Sequence, residues 1–497
     1  MKAKDDWGLE AATRGIFIGG SRILTDDSYP VIDPTTEDVV GQAPEATASQ
    51  VEQAVAAAQD AQPGWAATAP AERAGILRAM GRALGARREQ LAPLIAAETG
   101  CLLSAAPVIV DRAVSRFERF ADLLTGLRPV EHGIEIRATP AGPSLTSGQT
   151  ARRPVGVVAA IAPFNFPLIG AASKIAPAIA MGNAVVFKPA PQDPLELLAF
   201  ASICEEAGVP DGVVNIVTGS GVEVGRTLVS APGVDMVSFT GSTAAGAEIY
   251  RSGADSMRRM LLELGGKGAL IVRRDADLDA AVEALGRVWT YYSGQWCAAP
   301  TRAIVHRDVH DELVDRLIRL GRSLRIGDPS DPATNLGPVI SDAQRTRIEQ
   351  SVAGAVADGA EEVLGLEPRG GRSRGYFVSP SLLLGCRPDM PIVQNEIFGP
   401  VLSVLTYGDD DEAVELANAT RFGLTNYVFS ADVPTAWELA RRLRSGSVLI
   451  NTATPRDDMP FGGMGMSGVG RDNGVFALES YSEAQGILVA STPAPAA

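Results

Sequence analysis

The chain is short of the residues on which most hydrolase and metal chemistry depends. Its 497 residues hold only three histidines, His132, His306 and His310. None falls in the glycine- and proline-rich loops described below, so a histidine-activated hydrolase has no base to use there. The four cysteines, Cys101, Cys204, Cys297 and Cys386, lie far apart. Without a CxxC pair, zinc and redox-disulfide patterns are excluded, and sparse cysteine fits a reducing compartment, here expected to be the cytoplasm. Cations are outnumbered: Lys and Arg total 44 against 59 Asp and Glu, for a net charge of −15. A nucleic-acid partner would need clustered cations, so none is expected. The start "MKAKDDWGLEAATRG" has no apolar stretch of the kind that directs secretion. Long uncharged runs are also scarce. One extends from Pro154 to Ser173, the length of a membrane span, but Pro163, Asn165 and Pro167 interrupt it. Two prolines there break the helix that lipid demands, so the reading is a buried strand followed by a rigid loop, with no membrane partner.

What is present is globular. Hydrophobic residues make up 46% and charged residues 21%, and the length exceeds what one core supports, which implies two or three domains. Residues 49–100 read as helices, with Ser49 and Glu52 at capping-box spacing and Pro70 placed to open a further helix. From about residue 153 short β-branched runs recur: "VGVVAAI", "NAVVFK", "VVNIV", "DMVSFT", "ALIVR", "RAIVH" and "SVLIN". Helical stretches such as "PLELLAFASICEEAG" separate most of them. That alternation predicts an α/β fold with parallel sheets covered on both faces. The tail "STPAPAA" is low in complexity and is expected to fray.

Ligands of open parallel sheets gather at the carboxyl ends of the strands. Those ends carry "APFNFP", "KPAPQDP", "TGSGVEVG" and "TGSTAAG", a group of loops that points to a nucleotide crevice. "TGSGVEVG", with Gly221 and Gly225, misses the dinucleotide fingerprint by one residue of spacing and reads equally as an ordinary turn. In "FTGSTAAG", Gly241 and Ser242 open a helix whose free amides suit a pyrophosphate; a plain serine cap is the alternative. Glu263 precedes a glycine pair in the apolar "LLELGGKGA", where desolvation would raise its pKa toward a general base, unless it is merely salt-bridged near a turn. Cys297 sits in "SGQWCAAPTR", either as an inert buried thiol or as a nucleophile activated by something other than histidine.

Taken together, "PFNFP", "FKPA", "FTGSTAAG", "ELGGK", "GQWCAAPTR", "NEIFGPV" and "PFGGMGMSGVGR" resemble, in order, the motifs of the NAD(P)-dependent aldehyde dehydrogenase superfamily, from about residue 15 to about 490. The resemblance implies a Rossmann-type parallel-sheet cofactor domain (1–131 and 153–263), an α/β catalytic domain (264–465), and a small β oligomerisation arm and tail (132–152 and 478–497) that joins a homodimer or homotetramer. It implies Cys297 as nucleophile, Asn165 as oxyanion donor, Glu263 as the base for deacylation, and Lys174 in positioning or proton relay. For the cofactor it implies Lys188 at the adenine ribose, Ser242 at the pyrophosphate, Glu396 at the nicotinamide ribose and Phe398 beside the ring. Ala162, Pro163, Phe164, Phe239, Gly241 and Leu264, with Gly221 and Gly225, complete the expected cofactor surface.

The chain departs from the family in ways that bear on specificity. Pro191 stands where many members place a ribose-binding glutamate, which permits NADP as well as NAD. Asp472 in "GRDNG" replaces a glutamate, leaving either a shortened proton relay or a surface residue. Gly170 and Ser173 replace bulk and suggest a wider substrate tunnel, with Tyr291, Tyr292 and Trp296 as candidate walls or core. Arg456, in the loop before "PFGG", is a candidate contact for an anionic substrate or a solvated loop charge. The expected substrate is a bulky apolar or aromatic aldehyde, with an anionic semialdehyde as the alternative. A thiol-acylating relative would lack Glu263, and a non-catalytic relative would have lost Cys297, Asn165 or Glu263. No metal is expected.

Overall fold

The computed structural model describes residues 13–140 and 142–491. The seven β-branched runs all form strands, divided between two sheets. Five strands at the centre of the eight-stranded sheet run parallel, in the spatial order Arg259–Glu263, Met236–Thr240, Val157–Ile161, Ala184–Lys188 and Val214–Ile216. The chain builds outward from Val157–Ile161 to Val214–Ile216, then returns to lay Met236–Thr240 on the other side. This reversal makes a switch point between Val157–Ile161 and Met236–Thr240, where neighbouring loops diverge and leave a crevice. "PFNFP" and "TGSTAAG" are the loops that leave those two strands. The central strands are buried on both faces, which is why they are continuous apolar runs rather than alternating ones.

The second sheet has seven strands, six of them parallel: Ser381–Leu384, Val401–Tyr407, Arg302–His306, Ala269–Val272, Thr425–Phe429 and Ser447–Ile450. The connector between the sheets is residues 264–268, running from the end of Arg259–Glu263 to the start of Ala269–Val272. The "ELGGK" motif is therefore the passage from one layer system to the other.

The helical region begins with Ala48–Ala67, Pro70–Ala86 and Arg88–Thr99. Its capping box is formed by Thr47 and Gln50, not by Ser49 and Glu52. Gln50 N donates to Thr47 Oγ1 at 3.2 Å and Thr47 N donates to Gln50 Oε1 at 2.9 Å. The spacing is the same, but Thr47 has the extended backbone an N-cap needs, with φ −82° and ψ 162°. Pro70 opens its helix as expected. "PLELLAFASICEEAG" breaks into Leu195–Leu198 and Phe200–Ala207. The rigid loop after Val157–Ile161 is confined to residues 162–166, because Pro167 opens the helix Pro167–Ala180, where its missing amide costs nothing. No helix among the described residues is long and apolar enough to cross a membrane.

A separate antiparallel sheet holds Ser482–Ser491, Gly142–Pro154 and Val130–Thr139 in that order. It exposes Ile134, Ile136, Leu488 and Val489 at 77, 71, 67 and 64%. The start of the chain and the tail after Ser491 lie outside the described residues.

Three acids, Glu98, Asp193 and Glu196, are fully buried together. Glu98 accepts the amides of Leu195 at 2.8 Å and Glu196 at 3.1 Å. Burial raises all three carboxyls, Glu98 to about 7. Their folded pKa values exceed their unfolded ones, so the native state binds protons more tightly and stability falls as pH rises above the usual carboxylate range. Glu196→Gln removes one ionisable group while its amide can still donate to Glu98. The variant should melt about 2 °C or more above the parent near pH 8, the gain vanishing near pH 5, as calorimetry at both values would read.

Candidate active site

Two cavities meet at Cys297. One, of about 400 Å³, is walled by the loops after Val157–Ile161, Ala184–Lys188 and Met236–Thr240, together with Glu396 and Phe398. The other, of about 190 Å³, is walled by Tyr291, Trp296, Phe461 and three arginines, Arg112, Arg116 and Arg287. Pro163, Asn165, Thr240, Glu263 and Cys297 line both.

Cys297 is held by a tight turn that follows the helix Leu278–Thr290. Tyr292 and Ser293 take left-handed backbones, φ 55° and 52°, and Gly294 follows at 77°. A Cβ on Gly294 would overlap the backbone of Gly399, so glycine is required for the turn to dock on "NEIFGP". Ser293 Oγ donates to Gly337 O at 2.9 Å, and Ile340 N donates to Gln295 Oε1 at 3.0 Å, which hold the strained turn in place. From the other side, a Cβ on Gly266 would overlap the Cys297 carbonyl oxygen. Asn165, 4% exposed, donates one amide hydrogen to Gln295 O at 2.8 Å, which fixes its side chain on the shared wall beside Cys297.

Burial, then the carboxylates of Glu396 and Glu263, push the Cys297 thiol up to about 12. Glu263 is 3% exposed and neither of its carboxylate oxygens has a hydrogen-bond partner, so the salt-bridged alternative does not hold. Burial, with Asp472 second, raises its carboxyl well above the usual range, against the opposing pull of Lys174. Lys174, 1% exposed, donates to Ser238 Oγ at 3.1 Å, and Ser238 Oγ lies 2.6 Å from the Tyr481 hydroxyl. Burial lowers the lysine's pKa. Asp472 is 6% exposed and lines the same cavity as Glu263 and Lys174, which rules out the surface-residue reading.

On the larger cavity, Ala162, Pro163, Phe164, Pro191, Phe239, Gly241 and Leu264 all reach the wall. Phe164 and Phe398 meet edge to face at 5.7 Å. Phe398 has φ 59°, and Gln344 Nε2 donates to its carbonyl at 2.6 Å. Gly266 N donates to Glu396 Oε1 at 2.9 Å, and a Cβ on Gly265 would overlap the other carboxylate oxygen. Lys188 Nζ donates to Pro189 O at 3.2 Å and Gly219 O at 3.4 Å, and burial lowers its pKa to about 8. Ser242 lines the cavity and also caps the helix Thr243–Ser252, accepting from Ala245 N at 3.3 Å. Gly221 and Gly225 do not reach the wall; Gly225 packs behind the Lys188 stem, where a Cβ would lie 3.9 Å from Cδ and Cε. The donor set suits a dinucleotide: an ammonium and a helix N-terminus for anionic or hydroxyl groups, and a carboxylate cradled by two glycines for a ribose.

On the smaller cavity, Gly170, Ser173, Tyr291 and Trp296 are lining residues, while Tyr292 is not. Gly170 also packs closely: a Cβ there would sit 3.3 Å from Ala162 Cβ, so glycine lets the helix approach the strand end. Arg456 lies outside the lining and pairs with Asp458 at 2.6 Å. The arginines that do line it escaped sequence reasoning. The only available signal was the four-residue spacing of Arg112 and Arg116 on the amphipathic helix Ala106–Gly126.

The profile of the aldehyde dehydrogenase family matches residues 23–487. The chain belongs to that family. It is 38% identical over 495 residues to 3,6-anhydro-alpha-L-galactose dehydrogenase of Streptomyces coelicolor, covering 98% of each chain. It is 36% identical to the chloroplastic betaine aldehyde dehydrogenase of Amaranthus hypochondriacus over 95% of each. The NAD-dependent aldehyde dehydrogenase structure from Sinorhizobium meliloti superposes with a TM-score of 0.93 at 35% identity, covering 99% of this chain and 98% of that one.

The contact between Gly266 and the nucleophile loop is open to direct test. Gly266→Ala should displace Cys297 and lower kcat/KM on the order of 10²-fold while the far-ultraviolet circular dichroism stays native. Steady-state kinetics would check it.

Proposed function

We propose that this protein oxidises an aldehyde to the carboxylic acid with a nicotinamide dinucleotide, NAD or NADP, as acceptor, through a covalent intermediate on Cys297. The observation that carries this reading is that Cys297, Asn165 and Glu263 share the wall between a dinucleotide-sized cavity and a smaller one. The Cys297 thiolate attacks the aldehyde carbon. The second amide hydrogen of Asn165 and the Cys297 backbone N–H hold the developing oxyanion, a contribution of about 3 kcal/mol for each such donor. When bound, the dinucleotide supplies the acceptor for the hydride that leaves the thiohemiacetal carbon. Glu263, whose oxygens have no protein partner, then takes a proton from the water that attacks the Cys297 thioester, releasing the acid and restoring the thiol. Lys174 and Asp472 tune the proton affinity of Glu263 from beside it.

Lys188 would hold the adenine ribose, Ser242 the pyrophosphate and Glu396 the nicotinamide ribose, with Phe398 beside the ring. Pro191 puts no carboxylate of its own on the cavity wall near Lys188, which leaves NADP permitted beside NAD. On this reading residues 1–131 and 153–263 form the cofactor-binding domain, which also lends Arg112 and Arg116 to the smaller cavity, and 264–465 carry the nucleophile. Cysteines that form no disulfide among the described residues suit a reducing, cytoplasmic setting.

Reduced nicotinamide formation with an aldehyde panel, run with each cofactor, tests the proposal. Cys297→Ala should lose about 10⁴-fold or more, and equal turnover by the variant would overturn the reading. The thiol and Glu263 must both be deprotonated and both are shifted upward. Activity should therefore fall as pH is lowered from alkaline to neutral, a limb that the pH profile of kcat/KM would show.

The reading includes a homodimer or homotetramer. Val130–Thr139 and Ser482–Ser491 are both edges of their sheet and expose Ile136 and Val489, and bare edges of this kind pair with another chain. Light scattering should give a multiple of the 51.9 kDa chain mass. A monomer would overturn this part.

A further inference from the structure

The substrate cavity carries more positive charge than its acids balance. Arg112 and Arg116, one turn apart on Ala106–Gly126, share the single carboxylate of Asp457, at 3.6 and 3.1 Å. Arg116 is 7% exposed, and its Nε is buried without a hydrogen-bond partner. Arg287 has no carboxylate within salt-bridge reach among the described residues. It donates to Thr454 Oγ1 at 3.0 Å and lies over Tyr291, 5.1 Å from the ring centroid, and 6.0 Å from that of Trp296. The cavity's remaining acids, Glu263 and Asp472, are held toward their neutral forms by burial.

We propose that the aldehyde this site takes bears a carboxylate at the end remote from the carbonyl, held by Arg287 and Arg112 with Arg116 behind them. The proposal rests on the aldehyde-oxidising reading above and names the class of aldehyde. A guanidinium binds a carboxylate through paired hydrogen bonds and gains most where solvent is excluded. An apolar tail in the same place would leave charged groups desolvated without compensation. A cationic tail is opposed twice. The aromatic faces on which a quaternary ammonium would dock are already covered by Arg287, and the surrounding charge repels it. The arginines therefore favour the anionic alternative over the apolar aldehyde expected from sequence.

The test uses the full-length enzyme and a set matched in length: an ω-oxocarboxylate, its methyl ester, and the corresponding ω-trimethylammonium aldehyde. The carboxylate should exceed the ester in kcat/KM by about tenfold to a hundredfold, chiefly through KM, because a remote contact is made equally in ground and transition states. The ammonium compound should be the poorest. Arg287→Gln and Arg112→Gln should each shrink the carboxylate-to-ester ratio about tenfold at unchanged melting temperature. An ester as good as the carboxylate, a preference for the ammonium compound, or ratios unmoved in both folded variants would overturn the carboxylate site and leave aldehyde oxidation standing. Turnover of none of the three with either dinucleotide would bring down both readings.

Discussion

Backbone against backbone, with no room for a side chain, is the contact on which the site rests. Residues 264–268 carry the chain from the first sheet to the second, and their glycines press on the nucleophile loop. A Cβ on Gly266 would overlap the Cys297 carbonyl, and one on Gly268 would lie 2.5 Å from Ala299 O. The same connector begins at Glu263, the last residue of its strand, and gives the Gly266 amide to Glu396. One short passage thus sets the mutual positions of Cys297, Glu263 and Glu396, the proposed nucleophile, base and ribose-binding carboxylate. Each belongs to a different element, and none could be placed independently of the others.

That crowding also goes with burial of the site's titratable groups, and burial governs their charges. Cys297, Glu263, Lys174 and Glu396 are all shifted toward their neutral forms, with desolvation the largest cause for each. These four groups therefore add little charge of their own, and the charge that remains on the smaller cavity is that of its arginines. Ser238, between Lys174 and Tyr481, anchors this set to the eight-stranded sheet on one side and to the residue that precedes the arm strand Ser482–Ser491 on the other.

Much of this was legible because the strands declare themselves. A run such as "NAVVFK" has no polar alternation and can only be buried on both faces, and the loop that follows it must then lie at the sheet's edge where ligands bind. Asn165 was reached by that route and family resemblance together, while Glu263 and Cys297 stood out in their own motifs and took their expected roles from the resemblance. Local details were harder. Thr47 and Ser49 offer the same capping chemistry, and only backbone conformation chooses between them. Gly170 read as lost bulk, and nothing in the sequence signals that it also packs against Ala162. Arg456 was singled out because it precedes a glycine motif, yet Asp458 is two residues away and takes it. Arg112 and Arg116 lie nearly two hundred residues upstream of the cysteine whose cavity they share, and helix periodicity says which face they occupy but not what that face meets.

The two cavities are built from different parts of the chain. Arg112, Arg116, Arg287, Tyr291 and residues of the 454–457 loop wall the smaller cavity, proposed for the aldehyde, and none of them lines the larger one, proposed for the dinucleotide. Among the described residues, Pro163, Asn165, Thr240, Glu263 and Cys297 are common to both. Drift in the helices Ala106–Gly126 and Leu278–Thr290 can therefore retune what is oxidised while the redox machinery stays as it is. The architecture separates the heritable question of which molecule from the question of which reaction, and lets a lineage change its diet without relearning its chemistry.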